Sequence, residues 1–166
     1  MKKTKKFWAL TLAAVMALTP VTVYADDPTV INQDSTTKSG TMTATYDVTA
    51  KYTVTIPSGV TLNADAEVTS DITAENVLIE KGKQVVVTLT SGSNTTTGST
   101  FHAKKGDSTA EYTISAGGST VSVGGTVATF SNGTAKQTST LTFSKPTGWT
   151  EAGEHSETLT FTIATV

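Results

Sequence analysis

Residues 42–56 read MTATYDVTAKYTVTI, and this stretch decides the fold class. Met42, Ala44, Tyr46, Val48, Ala50, Tyr52, Val54 and Ile56 fill every even position. Threonines, Asp47 and Lys51 fill the odd ones. A period of two sends successive side chains to opposite faces of a strand, so one face is apolar and the other wet. The pattern predicts a strand with its even positions, including Tyr46 and Tyr52, on the core. Fifteen residues is long for one strand, so a bend or bulge is expected near Ala50. Pro57-Ser58-Gly59 ends it.

Toward the C-terminus the same reading yields shorter strands. They fall at 60–62, 67–74, 77–79, 84–90, 101–103, 110–115, 121–123 and 126–130. Asn132-Gly133 after the last of these is a hairpin signal. Thr140-Leu141-Thr142-Phe143 recurs as Thr158-Leu159-Thr160-Phe161, which predicts two similar core strands with Leu and Phe on one face. The chain holds 37 Thr, and β-branched side chains suit a pleated surface. With no helical stripe after Ala25, the expectation is a single all-β domain over residues 41–166. About seven to nine strands would form an antiparallel sandwich, immunoglobulin-like or jelly-roll-like.

Toward the N-terminus, residues 26–40 (DDPTVINQDSTTKSG) form a polar leader expected to be flexible. Val30 and Ile31 are its apolar positions and candidate anchors for assembly with a neighbouring molecule. Residues 1–25 have the layout of a signal peptide. Four lysines precede the 12-residue apolar run FWALTLAAVMAL, and Val23-Tyr24-Ala25 supplies small residues for cleavage after Ala25. The mature chain is then expected to be secreted, with no membrane span and no wall-sorting motif. It would carry 8 Lys against 14 acids.

Composition narrows the chemistry. There is no Cys, which excludes disulfides, thiolate metal sites and a Cys nucleophile. An acidic chain without Arg is a poor partner for nucleic acid. His102 and His155 show no triad or zinc spacing and are expected to be partly exposed. Asn63, Asp65 and Glu67 alternate oxygen ligands but lack the glycine and distal glutamate of a calcium loop, so a solvated turn is expected. Neither a cofactor nor a metal is implied. Trp149, in the loop Pro146-Thr147-Gly148-Trp149-Thr150, is the one candidate glycan contact, since an aromatic face can stack on a sugar.

Three phrases carry a resemblance. Ile31-Asn32-Gln33-Asp34-Ser35 and Tyr52-Thr53-Val54-Thr55-Ile56-Pro57 are similar to small secreted β-sandwich surface proteins of Gram-positive, gut-type bacteria, including ones related to wall-binding domains. Residues 152–161 (AGEHSETLTF) resemble the closing strand of spore-coat-U-like and pilin-like domains, with His155 and Glu157 where Tyr and Asp are usual. No functional residue carries over from the resemblance. The signal-peptide layout, the Thr-rich strands and the lack of a catalytic grouping point instead to a secreted or cell-surface protein, structural or adhesin-like and not an enzyme. Such a protein would act by contact with its own copies or other surface proteins, a fibre-like subunit being one form. The alternative is a carbohydrate-binding module using Trp149.

Overall fold

The computed structural model describes residues 31–36, 38–40 and 42–166. The expected signal peptide and Val30 lie outside the described residues. The strands all belong to one compact unit, which contains Ala50–Val166. Among the described residues this unit is all-β, with nine strands in two antiparallel sheets.

The strands are β1 (Lys51–Thr55), β2 (Val68–Leu78), β3 (Val85–Gly92), β4 (Thr100–Lys105), β5 (Ser108–Ala116), β6 (Ser119–Thr120), β7 (Gly125–Phe130), β8 (Gln137–Phe143) and β9 (Leu159–Thr165). The larger sheet runs β1-β2-β8-β5-β4, with β6 paired to the end of β5. The smaller runs β7-β3-β9. Strand β7 packs over β2, β5 and β8, which lays one sheet on the other. Between them lie Val54, Ile72, Ala74, Val77, Val85, Val87, Leu89, Phe101, Tyr112, Ile114, Val127, Phe130, Leu141 and Phe143, all buried. Along most of the strands these residues alternate with more exposed and mainly polar ones, many of them threonines. With no disulfide, apolar burial and ladder hydrogen bonds hold the unit together.

The fifteen-residue alternation does not form one strand. Only Lys51–Thr55 pairs, and Met42, Tyr46 and Val48 are exposed, Met42 and Tyr46 at 93% and 92%. The reason lies in the partner. Lys51 sits opposite Leu78, the last residue of β2, so residues before Lys51 run past the end of the ladder that supports β1. Tyr46 is therefore not a core residue, whereas Tyr52 is half-buried and Tyr112 buried.

Two further expectations are corrected. The Asn132-Gly133 dipeptide does not close a hairpin, because β7 and β8 belong to different sheets. It forms a crossing between them. Asn132 Oδ1 accepts Ile79 N–H at 2.7 Å, its Nδ2 donates to Ile79 O at 2.8 Å, and Gly133 pairs with Val77. Residues 60–62 and 121–123 carry no strand, although Val121 is buried and its N–H reaches Ile114 O.

Of the second unit, residues 31–36, 38–40 and 42–49 are described. Its ordered feature is a turn at Asn32–Ser35, where Ser35 N–H donates to Asn32 O and Asp34 N–H to Asn32 Oδ1. Ile31 beside it is 41% exposed.

Candidate functional site

The two TLTF phrases part company in the folded chain. Leu141 and Phe143 of β8 are buried, because β8 lies between β2 and β5 and under β7. Leu159 and Phe161 of β9, and Ile163 after them, are only half-buried. Strand β9 is an edge. It pairs with β3 on one side, and among the described residues no strand pairs with its other side.

Beside that edge the sandwich is open. A groove of about 680 Å³ runs along the inner face of the larger sheet. Ile72, Leu141 and Tyr112 contribute to its floor, and Leu159 and Phe161 to one wall. The loop after β1, from Ile56 to Leu62, and the loop carrying Trp149 border it. Both borders follow from local sequence. Pro57-Ser58-Gly59 turns the chain out of β1, and Gly148, at φ +84°, takes a conformation that a side chain disfavours next to Trp149.

Backbone geometry defines what the β9 edge offers. Gln84 and Val166 exchange both their backbone hydrogen bonds, at 3.0 and 2.9 Å. From that pair the antiparallel alternation turns the N–H and C=O of Ala164 and Thr162 toward β3. It turns those of Thr165, Ile163 and Phe161 outward. Phe161 and Ile163 thus present unpaired backbone groups and half-covered side chains together.

The other edges lack this combination. Lys104 of β4 exchanges backbone hydrogen bonds with Ser156, which covers that edge locally. The inward residues of β7, Val127, Ala128 and Phe130, are buried, so its inner face is already covered. Strand β1 is short and carries Lys51, a charge that discourages pairing.

The approach to β9 is held by Glu157. One carboxylate oxygen accepts Tyr112 O–H and His102 N–H, each at 2.9 Å, and the other accepts Asn94 N–H at 3.3 Å. This ties β4, β5 and the β3–β4 loop to the chain entering β9. Burial pushes the Tyr112 hydroxyl well above the ordinary tyrosine range, and the adjacent Glu157 charge and hydrogen bond push it the same way. Gly92 lies so close that a Cβ there would collide with the Glu157 carboxylate.

The histidines are half-buried, and each is engaged. His102 Nδ1 lies 3.1 Å from Thr95 Oγ1. His155 Nε2 lies 2.8 Å from Ser108 Oγ, and its Nδ1 lies 3.1 Å from Gly153 O. A serine beside a histidine invites comparison with a nucleophile and its base. Here, however, Ser108 is 1% exposed, and its oxygen already accepts Thr150 N–H and Glu151 N–H. The arrangement clasps the Trp149 loop to β5. Sequence reasoning missed the pair because Ser108 and His155 are 47 positions apart, with no motif linking them.

Trp149, the candidate glycan contact, is 45% exposed on the groove border. Asn63 Oδ1 accepts Asp65 N–H at 2.8 Å, which closes a turn at the expected position. Comparison of the chain with protein-family models, curated proteins and solved structures returned no match. The functional reading therefore stands on the groove and the edge beside it.

Proposed function

We propose that the chain is a secreted, non-enzymatic structural subunit that associates with copies of itself through the β9 edge. One observation carries this reading: an unpaired strand edge borders an open, partly apolar groove. An edge of this kind is a template for strand addition, in which backbone bonds give affinity and pockets for alternate side chains give specificity. The expected signal peptide, acidic mature chain and Thr-rich strands suit an extracellular role. Electron microscopy of the protein from culture medium should show polymers or discrete oligomers. Uniform particles of monomer size would contradict the reading.

Carbohydrate binding is the second reading, favoured by the exposure of Trp149 on the groove border. It predicts that Trp149→Ala abolishes retention on immobilised cell-wall polysaccharide and leaves the oligomeric state unchanged.

A further inference from the structure

Residues 42–50 have the sequence of a sandwich strand and lack its pairing. In an extended conformation Met42, Ala44, Tyr46 and Val48 would share one face, and Thr43, Thr45, Asp47 and Thr49 the other. In a monomer such an alternation has no use, because large apolar side chains on a regular face cost solvation when left in water. The β9 edge lacks what this segment has. It needs an extended backbone to accept from and donate to Phe161, Ile163 and Thr165, and an alternating apolar face to fill the groove that Leu159 and Phe161 border. Nine extended residues span about 30 Å, enough to run the length of a seven-residue strand.

We infer that residues 42–50 of one copy add as a strand to the outer edge of β9 in a second copy, with Met42, Tyr46 and Val48 directed into its groove. This rests on the proposed reading of the chain as a self-associating subunit, and it names the occupant of the docking site. The segment is a poor fit to its own β9. It leads into β1 in the larger sheet, whereas β9 belongs to the smaller one. Reaching β9 within the same chain requires a reversal and a change of sheet between Val48 and Lys51. That stretch, Val48-Thr49-Ala50-Lys51, contains no Gly, Pro, Asn or Asp to make the turn. A second copy imposes no such turn.

Each copy then holds one donor segment and one acceptor edge. Contacts of this head-to-tail kind propagate into open chains unless the rotation closes a ring. The assembly element thus lies at 42–50, beyond the anchors Val30 and Ile31 expected in the leader.

Two full-length mature variants test the pairing. Tyr46→Asp with Val48→Asp disables the donor. Ile163→Pro disables the acceptor, since the Ile163 N–H points away from β3 and its loss leaves that ladder intact. Light scattering should find each variant alone as a monomer. An equimolar mixture should form a dimer and nothing larger, because one intact donor and one intact acceptor remain. Where Ile163→Pro does not fold, a synthetic peptide of residues 40–51 added to the unmodified chain should convert its polymers to monomers. The Tyr46→Asp peptide should not. If the donor-disabled chain polymerises like the unmodified one, or the peptide has no effect on polymers, the donor assignment is wrong while the subunit reading stands. If the unmodified chain is a monomer at its highest soluble concentration, both fall.

Discussion

Glu157 is the residue on which the entry to β9 depends. Its carboxylate receives three donors from three separate parts of the chain. Glu157→Ala leaves Tyr112 O–H short of an acceptor, while His102 N–H keeps Thr95 Oγ1 at 3.0 Å, and should cost about 2 kcal/mol in urea denaturation. Tyr112→Phe removes one bond and no packing, so its cost should be nearer 1 kcal/mol. Tyr112 also sets an alkaline limit. Its hydroxyl is held protonated in the fold, with an unfolded value near 10. The sign follows from proton uptake: above that pH the unfolded chain releases the proton and the folded chain keeps it. Stability is therefore unaffected by this group below pH 10 and falls as pH rises beyond it. Denaturation midpoints between pH 9 and 11 should fall less steeply in Tyr112→Phe than in the unmodified protein. None of this was legible in the sequence. Glu157 could be placed before the last strand, but its partners lie 45 to 63 positions away.

At the scale of elements, periodicity was a good guide to type and a poor guide to extent. The alternation at 42–56 announced a strand, yet a strand needs a neighbour, and β2 ends opposite Lys51. Val54→Asp and Tyr46→Asp change the same face of the same pattern. The first buries a carboxylate and should cost several kcal/mol. The second should fall within about 0.5 kcal/mol of neutral when melting is followed on dilute protein. Similar losses would mean that the face is buried along its whole length. A second irregularity was invisible in sequence. Thr53 pairs with Glu75 and Lys51 with Leu78, so Asn76 and Val77 together oppose Tyr52. Asn76 adopts φ 52° at this bulge, and Val77 is turned into the core after Ile72 and Ala74. A β-branched residue resists that conformation. Asn76→Val should lose about 1–2 kcal/mol and Asn76→Gly almost nothing, as thermal unfolding would show. The Asn132-Gly133 dipeptide misled for a related reason. Its local signal is common to a hairpin and to a crossing, and only the sheet assignment of β7 and β8 separates them.

The whole molecule joins a closed core to an open edge. The all-β class was legible because Thr-rich alternation recurs through the chain. The identical TLTF phrases could not show that one would lie in the middle of a sheet and the other at its margin. Trp149 was recognisable as a loop aromatic, but the groove it borders is assembled from segments more than 100 positions apart. Under the proposed secreted reading, intact mass of the protein from culture medium should place the N-terminus at Asp26, and retention of residues 1–25 would overturn that reading.

The central claim is that β9 offers its outer edge to a neighbour, and amide hydrogen exchange tests it at the atoms concerned. The amides of Thr162 and Ala164 face β3 and should exchange slowly at every protein concentration. Those of Phe161 and Ile163 face outward, and should exchange quickly in dilute protein and become protected as concentration rises. Rapid exchange at Phe161 and Ile163 that does not change with concentration would contradict the account.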